Sequence, residues 1–231
     1  IILNVGRENK SISGFTNCIK SLTDAFFMPI ASGGGITNID DVYKIFDAGS
    51  DKIVLNTVLF ENPALVSEIA KIFGEQSIIA SLDYTRAKRD VFYSDSISSN
   101  NKEQIKLSDI DIMINNGSRK IELFTEEALV YINNLGVGEI YITSIDCSGV
   151  ARGYDLDVIK VLSKKCKLPL IISGGGGNFY HLFSVLEQEN ISAVSTSNLF
   201  NFMADGLCDA RNKLISKEIK LSKWLDFDNN N

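Results

Sequence analysis

Apolar positions along this chain follow two alternating patterns. Short β-branched runs occur at Ile1–Val5, Ile30–Ser32, Lys52–Asn56, Ser77–Leu82, Glu139–Ser144, Leu170–Ser173 and Ala193–Thr196, the signature of strands buried on both faces. Between them lie longer stretches with the helical period. Ile39, Val42, Tyr43, Ile45 and Phe46 form one apolar stripe, and Leu65, Val66, Ile69, Ala70 and Phe73 another. Asn62-Pro63 opens a helix, Gly49, Gly74 and Gly136 follow helical runs, and Pro29 and Pro169 precede strands. Strands alternating with helices predict a parallel sheet with crossover helices. The seven runs predict an α/β fold, a (β/α)8 TIM barrel whose first strand is expected before Ile1.

One segment breaks the rhythm. Residues 84–123 are too long for an ordinary βα loop, and they contain β-rich pieces at Val91–Tyr93 and Ile110–Ile114 and a turn-prone Asn116-Gly117. A β-hairpin insertion is expected there, with a Ser/Asn-rich tip at Ser94–Gln104. The organisation read from the pattern is one barrel domain over residues 1–225, carrying that insertion, and a polar tail over 226–231.

Composition narrows the chemistry. A net charge of −6 and a pI near 4.9 argue against nucleic acid or an anionic membrane as partner, because both demand concentrated Lys and Arg. Cys18, Cys147, Cys166 and Cys208 are scattered and read as reduced thiols of a cytoplasmic protein. His181 is the single histidine and stands in a helical pattern, so neither a metal site nor a histidine triad is expected. No cofactor is implied, and acid–base chemistry falls to carboxylates. No apolar run reaches the roughly 18 residues of a membrane span.

Two glycine runs carry the strongest signal. Ser32-Gly33-Gly34-Gly35 and Ser173-Gly174-Gly175-Gly176-Gly177 each follow a strand and precede a helix. Glycines there let the backbone approach an anion, toward which the next helix aims N–H groups and its positive end. One strand later each run has a polar echo, Asn56-Thr57 after the first and Thr196-Ser197-Asn198 after the second. Two phosphate cages across one barrel mouth predict a substrate with a phosphate at each end, or descent from a duplicated half-barrel. The competing reading is that the glycines only make tight turns.

The strings SGGGI at Ser32–Ile36, DKIVLNT at Asp51–Thr57, ENP at Glu61–Pro63, GEIYITSID at Gly138–Asp146, GYD at Gly153–Asp155 and SGGGGN at Ser173–Asn178 together resemble the cyclase subunit of imidazole glycerol phosphate synthase. The resemblance covers nearly the whole chain outside the insertion and the tail. It implies a heterodimer with a glutaminase subunit docked on the barrel's bottom, whose ammonia crosses the barrel. At the top the ammonia reacts with a bis-phosphorylated ribulosyl substrate to give imidazole glycerol phosphate and an aminoimidazole carboxamide ribotide. It assigns phosphate binding to Gly34, Gly35, Asn56, Thr57, Ser173, Gly174, Gly175, Ser197 and Asn198. It assigns substrate-lining positions to Asn4, Thr143, Asp146, Ser148 and Gly149.

By the same resemblance Asp83, in SLDYTR, matches one of two catalytic aspartates; the alternative is a solvated strand-end residue or a helix cap. Lys52 and Glu139 match two charges of the family's ammonia gate, the alternative being an ordinary surface pair, and Asp51 matches a residue near the glutaminase interface. The chain also departs from the family. After TSID the family continues Arg-Asp-Gly-Thr, where this chain has Cys147-Ser148-Gly149-Val150; an acidic residue becomes Asn4 and a cage serine becomes Asn198. Three functions fit: a cyclase, a drifted paralogue relaying ammonia to a sugar amidotransferase of surface polysaccharide synthesis, and a single-chain sugar-phosphate isomerase. The last leaves Lys52 and Glu139 unexplained.

Overall fold

The structure, a computed structural model, describes residues 1–6, 11–87, 105–123, 125–197, 199 and 206–222. Seven parallel strands run in sheet order β1 (Ile2–Leu3), β2 (Ala31–Gly33), β3 (Lys52–Leu55), β4 (Ile78–Arg86), β7 (Glu139–Ser144), β8 (Leu170–Ser173) and β9 (Ile191–Val194). Two more, β5 (Ile110–Ile114) and β6 (Arg119–Lys120), branch from β4 as antiparallel neighbours. The helices are α1 (Ile12–Ala25), α2 (Ile39–Asp47), α3 (Thr57–Glu61), α4 (Pro63–Phe73), α5 (Thr125–Asn133), α6 (Leu156–Lys165), α7 (Phe179–Leu186) and α8 (Gly206–Ser216). Among the described residues β1 and β9 do not pair with each other.

Side-chain alternation splits the sheet into two faces. Ile53, Leu55, Ile78, Ala80, Leu82, Ile140 and Ile142 point outward into one large core shared with the helices. Val54, Ile79 and Tyr141 point inward and form a second cluster with Ala31 and Ile171. Those five residues come from β2, β3, β4, β7 and β8. Five successive strands thus share one inner face while the helices cover the other, the arrangement of a (β/α)8 barrel.

The helix stripes pack as their period requires, with one exception. Val42 and Ile45 of α2 and Leu65, Val66 and Ile69 of α4 are buried, whereas Tyr43 is 44% exposed and meets Phe73 edge-on at 5.2 Å. Asn62 caps α4 ahead of Pro63 at its first position. No described helix is long and apolar enough to cross a membrane.

Boundaries move in five strands, in β3 by a single residue, because it ends at Leu55 instead of Asn56. β1 is shorter than Ile1–Val5, β2 begins and ends one residue later than Ile30–Ser32, and β9 begins two residues earlier than expected, with a register irregularity at Leu170 and Ile171. The largest shift is in β4, which continues to Arg86 instead of stopping at Leu82. Polar Asp83 and Thr85 do not end it, because Tyr84 is buried between them and both strand edges are paired: Asp83–Arg86 with β5, Ile79–Tyr84 with β7. Among the described residues β4, β5 and β6 form an antiparallel ladder, with a turn at residues 115–118 between β5 and β6. Val91–Tyr93, the tip at 94–104, the tail at 226–231 and Asn198 lie outside the described residues.

Candidate active site

The seven parallel strands among the described residues point the same way, so their C-terminal ends share one rim, and both glycine runs stand on it. Gly34 and Gly35 have φ of 96° and 81°, Gly174 and Gly175 of 91° and 115°, a region that disfavours side chains. A Cβ on Gly34 would lie 2.4 Å from the Asn4 carbonyl oxygen, and one on Gly174 would lie 2.5 Å from that of Ser144. The two turns match when Gly33, inside β2, is set against Ser173, inside β8, which moves the sequence alignment of the two runs by one residue.

The match extends into the helices. Asn38 Oδ1 accepts the Asp41 amide at 3.0 Å and Asn178 Oδ1 accepts the His181 amide at 3.1 Å. Each capped residue then holds the turn that precedes it. Asp41 Oδ2 accepts from the Thr37 amide and hydroxyl, both at 3.0 Å, while His181 Nδ1 accepts the Gly177 amide at 3.2 Å. One N–H group at the start of each helix is therefore already bonded to its cap.

A hollow of about 740 Å³ opens beside the first turn. Asn4, Gly34, Gly35, Asn56, Thr57, Asp83, Thr143 and Ser148 line it, all singled out from the sequence. Ser81, Asn62 and the hairpin turn Asn115, Asn116 and Gly117 line it too. Ser81 was legible in principle, since it shares the inward face of β4 with Asp83. The turn's arrival over the hollow has no local signal.

Asp83 is neither a solvated strand end nor a helix cap. It stands inside β4, half-buried, with Ser81 Oγ 3.3 Å from one carboxylate oxygen and Asn56 Nδ2 3.4 Å from the other. Burial lifts its carboxyl to about 6, although the Ser81 hydrogen bond pulls the other way. Such a group exchanges protons readily near neutral pH.

The second turn has a smaller hollow of about 40 Å³, lined by Ser148, Gly149, Ser173, Gly174, Gly175 and Ser197 among the expected residues. Ser148 lines both hollows and stands between them. Tyr141 reaches toward this side from the barrel interior, its hydroxyl donating to Ser173 Oγ at 2.8 Å. Asp146 lines neither hollow. Its oxygens accept the Thr85 hydroxyl at 2.9 and 2.8 Å and the Arg86 amide at 2.8 Å. Arg86 Nε also donates to Asp155 Oδ2 at 2.8 Å, and Asp155 caps α6. The end of β4 thus grips both ends of the loop that carries Ser148, a clamp that only the folded chain reveals.

At the opposite rim Lys52 Nζ lies 2.7 Å from Glu139 Oε1, spanning β4, with side chains 34% and 27% exposed. Asp51 is exposed, and its Oδ2 accepts the Ile30 amide at 2.7 Å, fastening the start of β2.

The family model described as "Histidine biosynthesis protein" matches residues 8–203. The imidazole glycerol phosphate synthase subunit HisF of Methanobrevibacter smithii is 32% identical over 93% of this chain and 78% of its own length. That of Methanocaldococcus jannaschii is 33% identical over 80% of this chain and 68% of its own. That of Lachnoclostridium phytofermentans is 32% identical over 88% and 72%. On a barrel with paired glycine turns, and with similarity of that extent, the chain belongs to the histidine biosynthesis protein family, among relatives of the HisF subunit of imidazole glycerol phosphate synthase.

Proposed function

We propose that the chain is the cyclase subunit of an imidazole glycerol phosphate synthase, acting in the cytoplasm as one barrel domain with a glutaminase partner on its lower rim. One observation carries the reading: Asp83 lies in a hollow that reaches the first glycine turn, and Ser148 joins that hollow to the second. A ligand with a phosphate in each turn would pass beside the carboxylate.

Within this reading the Gly34–Gly35 and Gly174–Gly175 amides receive the two phosphates, helped by Thr57 and Ser197. Asp83 moves a proton during attack of ammonia on the ribulosyl substrate and the ring closure that follows. Ammonia enters past Lys52 and Glu139. Between that pair and Asp83, the inward register of β3, β4 and β7 sets Val54, Ile79 and Tyr141, an apolar layer that disfavours ammonium relative to neutral ammonia.

The test is steady-state turnover of the bis-phosphorylated ribulosyl substrate by the full chain with ammonium salt. Imidazole glycerol phosphate formation that disappears in Asp83→Asn is expected. A silent wild-type protein that still binds the substrate would overturn the cyclase assignment.

A further inference from the structure

The β5–β6 hairpin enters the site at its turn. Above the rim β5 replaces β3 as the neighbour of β4: β3 pairs Ile78–Ala80, and β5 pairs Asp83–Arg86. The insertion therefore extends the barrel wall next to Asp83. Its turn is fastened on two sides. The Asn115 amide donates to Thr57 Oγ1 at 3.0 Å, and a Cβ on Gly117 would already stand 3.2 Å from Ile145 Cδ1. Arg119 adds an ion pair to Glu61 of α3. Ser118 closes the turn on the Asn115 carbonyl through its amide at 3.2 Å and its hydroxyl at 2.7 Å. Asn115 and Asn116 have φ of 53° and 55°, a region asparagine tolerates better than other side chains.

We infer that Asn115 and Asn116 are specificity-determining residues that read the hydroxyl groups of a sugar phosphate whose phosphate lies at the Gly34–Gly35 turn. The inference rests on the phosphate reading of that turn. Asn4, Asn56 and Asn62 line the same hollow, so five asparagines border the ligand space, and of these the Asn62 oxygen is engaged in the α4 cap and the Asn56 amide in its bonds to Ser81 and Asp83. A carboxamide presents a donor and an acceptor side by side, the complement of neighbouring hydroxyls. No lysine or arginine lines the hollow among the described residues, and its carboxylates are Asp83 and the Arg119-paired Glu61. Beyond its phosphate, the preferred ligand is polyhydroxylated and uncharged.

The full chain is titrated with ribose 5-phosphate and, separately, with inorganic phosphate, reading the Gly34 and Gly35 amide resonances. The wild type is expected to bind the sugar phosphate about tenfold tighter, the worth of one or two net hydrogen bonds. Replacing both Asn115→Gly and Asn116→Gly keeps the positive φ angles and removes the carboxamides. That variant should bind phosphate as before and lose the preference for the sugar, with responses at Gly174 and Gly175 unchanged. A variant that keeps the full preference, or a wild type that has none, overturns the inference alone. A wild type that binds neither probe overturns the phosphate reading of the turn, and the inference with it.

Discussion

The side-chain amide of Asn56 stands 3.0 Å from the Ser81 carbonyl oxygen and 3.4 Å from Asp83 Oδ2, tying the residue that opens α3 to the carboxylate on β4. A residue expected in a phosphate cage thus also positions the expected acid–base group. In the proposed cyclase, anion binding and proton transfer would share one hydrogen-bonded unit.

Asp83 gives a stability prediction with a definite sign. Its folded pKa, near 6, is above the unfolded value of 3.8, so folding favours the protonated form. That stabilisation is full below about pH 4 and is lost as pH rises through about 6. Asp83→Asn should therefore be more stable than wild type at pH 7.5 by about 1–3 kcal/mol. Urea melts across pH should show the gap closing by pH 4, and a gap independent of pH would contradict the buried carboxyl.

The glycine turns should tolerate no side chain. Gly34→Ala and Gly174→Ala combine a positive φ with a backbone clash at 2.4 or 2.5 Å, and each should cost about 3 kcal/mol or more. Gly149→Ala is the control: its φ is 76°, yet no atom lies within 4 Å of the added carbon. It should cost only about 1–2 kcal/mol. Denaturant midpoints rank the three.

The Arg86 clamp should behave as a buried ion pair. Asp155 has a side chain 1% exposed, so Arg86→Met strands its charge and should cost about 3–5 kcal/mol. Adding Asp155→Asn should restore a large part of that loss in thermal melts. Equal instability of the single and double variants would show that the arginine contributes through packing alone.

Lys52→Met separates gate from scaffold. The pair with Glu139 is partly exposed, so its removal should change stability by less than about 1 kcal/mol. Activity with the glutaminase and glutamine should fall further than activity with ammonium salt. Equal effects on the two activities would remove Lys52 from any role in ammonia entry.

Much of this was legible from order along the chain. The seven parallel strands, the stripe on α4, the Asn62-Pro63 helix start and the position of both glycine turns follow from local spacing, and β7 and β8 fall where their apolar runs end. The end of β4 was not legible, because polar Asp83 and Thr85 read as a boundary until their neighbours on both edges are known. Asp146 had the sequence context of a lining residue, and its carboxylate is instead held by Thr85 and Arg86.

The sequence by itself determined the barrel and the residues that stand at its rims, because side-chain period and glycine backbone freedom act within a few residues. The tertiary structure decided which of those residues share a space. Asn115 meets Thr57 across 58 positions, Arg86 meets Asp155 across 69, and Lys52 meets Glu139 across 87. Such meetings depend on curl of the sheet and on the path of an insertion, both set by packing of the whole chain and by no local pattern.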